Sequence, residues 1–136
     1  MDSGDGMASA SILVVDDDAP FRAAVCRALR AEGHAVEEAT DGTQAMRIVA
    51  ADTPDIVITD IYMPNGDGIE LITAVKGGFP TVRILAISGH GSLGAVNMLN
   101  MAAQLGADAT LAKPLSPEEL LEKVAELVGH GRGPST

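Results

Sequence analysis

The side chains able to do chemistry in this sequence sit at the ends of short apolar runs. Val14-Val15 leads into Asp16-Asp17-Asp18, Val57-Ile58-Thr59 into Asp60, Leu85-Ala86-Ile87 into Ser88-Gly89, and Thr110-Leu111-Ala112 into Lys113-Pro114. Singly, each is weak. Acids after a strand are commonly solvated turn or N-cap residues, Ser-Gly is a common turn, and Lys-Pro is a common loop dipeptide. Together they supply carboxylates, a hydroxyl and an ammonium. If Asp16, Asp17 and Asp60 met at ~4 Å with an effective dielectric near 20, each like-charge pair would cost about 4 kcal/mol, roughly 12 kcal/mol in all. That rivals the stability of a whole domain, so either a carboxyl protonates or a divalent cation sits among them. Hard oxygen ligands favour Mg²⁺ or Mn²⁺ over zinc, and no His/Cys cluster is present to bind zinc. A metal beside a nucleophilic carboxylate, a hydroxyl and a lysine makes a phosphoryl site. The carboxylate attacks in line while the cations and hydroxyl neutralise the equatorial oxygens.

Positioning these groups requires strands. The runs at 12–15, 56–59 and 84–88 are apolar at consecutive positions, as in strands covered on both faces by helices. Residues 34–39, with Glu37 and Glu38, suit an edge strand, and 109–112 gives a short fifth one. Helical patterns fall between them. Phe21, Val25 and Leu29 follow Pro20 and stop at Gly33. Ala45, Met46 and Val49 share a face over 43–51; Ile69, Ile72 and Val75 share another, ending at Gly77-Gly78. A fourth helix spans 92–105 before Gly106. Ser116-Pro117-Glu118-Glu119 is a capping box ahead of Leu120, Leu121, Val124, Leu127 and Val128. Five alternating pairs imply an α/β, doubly wound parallel sheet with right-handed crossovers. In such sheets ligands bind outside the carboxyl ends of the strands, the edge where the chemical residues fall.

The 136 residues make one domain, placed at 11–128 between polar, Gly- and Ser-rich ends at 1–10 and 129–136. Nine Lys+Arg against nineteen Asp+Glu give a charge of −10. That balance repels nucleic acid and anionic membranes, and 2% aromatics with no Trp supply no base-stacking platform. No apolar run approaches the ~20 residues needed to span a bilayer. The N-terminus MDSGDGMASAS lacks the features of a secretory signal, and the single cysteine, Cys26, excludes an internal disulfide. A cytoplasmic protein is the expectation.

The segments ILVVDDD, IVITDIYMP, ILAISG and LAKPL, in that order, resemble the receiver domain of two-component response regulators. The resemblance spans about residues 10–128. It implies a flavodoxin-like (βα)₅ fold with strand order 2-1-3-4-5. It makes Asp60 the phosphoacceptor, Asp17 the direct metal ligand, Asp16 a ligand through water, and the Tyr62 carbonyl a further ligand. Ser88 would be the hydroxyl that follows the phosphoryl group, and Lys113 would pair with Asp60 and then with the phosphate. The Lys113–Pro114 peptide is expected to be cis. The donor would be a histidine kinase or histidine phosphotransferase. Phosphorylation would shift a pre-existing equilibrium of the face built by helix 4, strand 5 and helix 5. Slow self-catalysed hydrolysis would reset it, so the chain is a phosphoacceptor and not an enzyme. Pairing of two copies through that face is left open.

Departures from the family pattern matter. Its switch aromatic, three residues before the lysine, is Thr110 here. The stretch from Ser88 to Lys113 is a few residues longer than usual and contains Gly89-His90-Gly91-Ser92-Leu93-Gly94, then Met98 and Met101. The methionines read as half-buried core or as an adaptable partner face. Tyr62 and His90 hold positions that tune dephosphorylation in the family, and their bulk predicts a long-lived phosphorylated state. Otherwise His90 reads as a solvated loop histidine, Cys26 as half-buried, and His34 and His130 as uninformative. Only eight residues follow Val128, so the expectation is a stand-alone receiver signalling through another protein or a relay. Two rivals stand beside it. One is a receiver-like binding module that does not use phosphorylation. The other is a haloacid-dehalogenase-like phosphatase, suggested by Asp16-Asp17-Asp18 as Asp-x-Asp.

Overall fold

A computed structural model describes residues 9–63, 68–88 and 100–131. Strands and helices alternate: β1 (Ser11–Val15), α1 (Ala19–Ala31), β2 (Ala35–Ala39), α2 (Gly42–Ala51), β3 (Ile56–Asp60), α3 (Gly68–Gly78), β4 (Arg83–Ser88), α4 (helical over 100–105), β5 (Ala109–Ala112) and α5 (Pro117–Gly131). All strands are parallel, in the order β2-β1-β3-β4-β5.

The consecutive apolar runs work as anticipated, because successive strand residues feed opposite cores. Leu13, Val15, Val57, Ile84 and Ala86 pack toward α2, α3 and Ala102 of α4. Ile12, Val14, Ile58, Leu85 and Ile87 pack toward α1 and α5. β2 is an edge strand, and its Glu37 and Glu38 are exposed.

Several details differ from the sequence reading. Ala10 is not part of a loose terminus. It is buried, accepts a bond from Ala35 N and donates to Nδ1 of His34 at 3.0 Å. His34 therefore secures the entry to β1, and burial lowers its pKa. α5 runs on to Gly131, so three residues assigned to the tail are helical. Cys26 is fully buried, because it faces the sheet one position after Val25 on α1. Met101 is exposed on α4 while the neighbouring Ala102 supplies the buried contact. Residues 92–99 of the expected fourth helix, with the Gly89–Gly94 loop, His90 and Met98, lie outside the described residues. Two left-handed glycines end helices as anticipated: Gly33 (φ 94°) after α1 and Gly106 (φ 123°) after α4.

Register brings the chemical residues to one rim. Val15 stands level with Ala39 and Thr59, Asp60 with Ile87, and Ser88 with Ala112. Pairing continues just beyond the strand ends, with Asp16 N donating to Ala39 O, Ile61 N to Ile87 O and Lys113 N to Ser88 O.

Candidate functional site

Asp16, Asp60 and Ser88 are buried polar residues at that rim, 2%, 6% and 0% exposed, whereas Asp17 is exposed. One carboxylate oxygen from each of Asp16, Asp17 and Asp60 lies within 4.8 Å of the other two. Oδ1 of Asp16 accepts from Asp18 N at 2.9 Å, and Oδ1 of Asp60 accepts from Tyr62 N at 3.2 Å. The Lys113 ammonium stands between the two acids, 3.2 Å from Oδ2 of Asp16 and 3.8 Å from Oδ2 of Asp60. Its hydrogen bond goes to Asp16. The expected pairing with Asp60 is therefore the longer of two contacts, and in each acid Lys113 faces the oxygen that the backbone N–H leaves open.

This geometry revises the electrostatic arithmetic. The roughly 12 kcal/mol assumed three equivalent, unscreened pairs. Here Asp17 is solvated, an ammonium intervenes, and backbone N–H groups hold one oxygen of each buried acid. What remains is still unfavourable. Burial and then the charge of Asp16 push the Asp60 carboxyl up to about 6, against Lys113 and the Tyr62 N–H. Burial likewise raises Asp16, against the Asp18 N–H and Lys113.

The surroundings hold the acids in place. Asp18 is the N-cap of α1 and accepts from Phe21 N, so one member of the acidic triplet does have the plain capping role. Arg22 donates to the carbonyl of Asp16 at 2.7 Å and to Glu38 at 3.0 Å. The Lys113–Pro114 peptide is cis. Among the described residues, Ser88 Oγ is buried without a hydrogen-bond partner. A buried hydroxyl in that condition is costly unless something else engages it. An all-oxygen donor set with a hydroxyl left over fits a hard divalent cation and an oxyanion.

The sequence reading missed Gly68. It opens α3 so close to β3 that a Cβ there would stand 2.2 Å from the Asp60 carbonyl oxygen and 2.6 Å from Ile61 Cα. A glycine in the first turn of a helix, where it is a poor helix former, was the available signal. It also missed that the ring of Phe21, read as part of the apolar repeat of the first helix, has its centroid 4.0 Å from Lys113 Nζ.

The family model described as "Response regulator receiver domain" matches residues 12–125. The chain belongs to that family. Response regulator MprA of Mycobacterium tuberculosis is 37% identical over 120 residues, covering 88% of this chain and 51% of MprA. The chain thus spans about half the length of the curated relatives it matches. NtrX from Brucella abortus superposes with a TM-score of 0.86 at 28% identity over 92% of this chain and 28% of NtrX. CheY4 of Vibrio cholerae gives 0.78 at 30% identity, covering 88% and 99%. Membership in the receiver family displaces the haloacid-dehalogenase-like reading of Asp16-Asp17-Asp18. In this receiver the position of the family's switch aromatic is Thr110, half-buried in β5 beside Ala86. Among the described residues, no helix is long and apolar enough to cross a membrane.

Proposed function

We propose that this receiver accepts a phosphoryl group on Asp60 from a histidine kinase or histidine phosphotransferase and passes the signal on by protein contact or phosphorelay. The observation that carries the reading is the convergence of Asp16, Asp17 and Asp60 within 4.8 Å, next to the Lys113 ammonium. In the transfer, a carboxylate oxygen of Asp60 attacks phosphorus, the bond to the donor breaks, and the donor leaves with that electron pair. Asp16, Asp17, Asp60 and the Tyr62 carbonyl would hold Mg²⁺ or Mn²⁺. A bound ion would supply positive charge against the phosphoryl oxygens and screen the acids from one another. Lys113 moves from Asp16 toward the new anionic group, and the Ser88 hydroxyl, without a partner among the described residues, donates to one of its oxygens. The acyl phosphate adds up to about −2 of charge at the rim.

The chain is a phosphoacceptor that resets by slow hydrolysis, and it is not a turnover enzyme. Its output surface is the face of α4, β5 and α5, where Met101 and Leu105 are 44% and 37% exposed one helical turn apart. Thr110 favours a second reading, a binding module that does not use phosphorylation. One experiment separates the two. The protein is incubated with acetyl phosphate and Mg²⁺ and its intact mass is measured beside Asp60→Asn. A single added phosphoryl mass, absent in the variant, is expected. No gain in the wild-type protein overturns the proposal in favour of the binding module.

A further inference from the structure

Lys113 carries its charge on a flexible four-carbon stem, yet it must serve two acids in turn. Hydrogen bonding alone would settle it on Asp16, the nearer partner at 3.2 Å. The ring of Phe21 supplies a third attraction, with Nζ 4.0 Å from its centroid. A ring face attracts an ammonium without demanding one bond direction, so the cation can shift between acids while keeping that contact. The ring is half-buried. Its backbone N–H donates to the Asp18 cap at 3.3 Å, and its body packs against the core cluster that holds Val25 and Leu120. The acidic triplet thereby sets both the site and the lysine's support: Asp16 binds the ammonium, and Asp18 holds the turn that places the ring against it.

We infer that Phe21 is a positioning residue for phosphoryl transfer, holding the Lys113 ammonium over the interval between Asp16 and Asp60. The inference rests on the phosphoacceptor reading above. A purely structural role would be filled by any apolar side chain of similar size, which gives the test. Phe21→Leu keeps the packing and removes the ring face, while Phe21→Tyr keeps both. With acetyl phosphate and saturating Mg²⁺, Phe21→Leu should phosphorylate about five- to thirtyfold more slowly, the range of one partly desolvated cation–π contact, and Phe21→Tyr should match wild type. In a Lys113→Gln background, Phe21→Leu should cause no further loss. The chain has only three lysines, Lys76, Lys113 and Lys123, so the Lys113 ε-methylene protons can be resolved by NMR. They should be ring-current shifted in wild type and Phe21→Tyr and unshifted in Phe21→Leu. An unshifted Lys113 in wild type overturns the inference, as does an unchanged rate in Phe21→Leu or a full additional loss in the Lys113→Gln background. Failure of wild type to gain a phosphoryl group instead overturns the phosphoacceptor reading, whatever the NMR shows about the contact.

Discussion

Gly68→Ala should be among the most damaging single-methyl changes in this receiver. The added Cβ would stand 2.2 Å from the Asp60 carbonyl oxygen, so reaching even 3.0 Å means parting α3 from the end of β3 by about 0.8 Å. The three nearest atoms, that oxygen, the Asp60 carbonyl carbon and Ile61 Cα, are all backbone, and no rotamer change relieves the contact. The start of α3 is pinned there by Gly68 N donating to Ile61 O at 2.8 Å, and Ile61 N is bound to Ile87 O. Overpacking with rigid neighbours costs typically 1–3 kcal/mol, and we expect about 3 kcal/mol here. Gly77→Ala in the same helix is the matched control. Nothing lies within 4 Å of its added Cβ, so alanine's helix preference should stabilise by about 0.5–1 kcal/mol. Urea denaturation should therefore move the two midpoints in opposite directions, by about 1–3 M down for Gly68→Ala at typical m-values. Because the clash falls on the Asp60 carbonyl, phosphorylation by acetyl phosphate should also slow in Gly68→Ala but not in Gly77→Ala. A Gly68→Ala protein as stable and as reactive as the control would refute the close approach of α3 to β3.

Three further outcomes follow from the same geometry. Between the ordinary carboxyl value of 3.8 and about 6, folded Asp60 keeps a proton that the unfolded chain has released. Stability in EDTA should thus fall as pH rises through that window, by about 2–3 kcal/mol for this group. Denaturation from pH 4 to 7 should show Asp60→Asn losing that share of the slope and exceeding wild type at pH 7; parallel curves would contradict it. Mg²⁺ at a hundred times its dissociation constant should raise unfolding free energy by about 2.7 kcal/mol, and Asp17→Asn should abolish most of the gain in a thermal melt. Tyr62 is 47% exposed beside Asp60 and offers bulk near any approaching water. Tyr62→Gly should hasten loss of the phosphoryl group, followed by intact mass over time, and an unchanged half-life would count against that shielding.

Local pattern was enough to specify the layers and the rim. Three runs, 12–15, 56–58 and 84–87, are apolar at successive positions and read as strands buried on both faces; with an edge strand and a short fifth strand, alternating with amphipathic helices, they imply a parallel sheet. A parallel sheet has one ligand-bearing edge, so Asp16, Asp60, Ser88 and Lys113 were legible as neighbours before any coordinates. Distances were not legible, because they depend on strand register and side-chain burial set by the whole packed domain. Only tertiary packing decided that Lys113 bonds Asp16 in preference to Asp60, and that burial more than mutual repulsion raises the two acids. It also decided that Ala10 and Cys26 belong to the core, that Gly68 packs against the Asp60 carbonyl, and that the Phe21 ring lies against the Lys113 ammonium. Periodicity reports which face of an element is covered. What that face meets, and how closely, is settled only when every element competes for the same space.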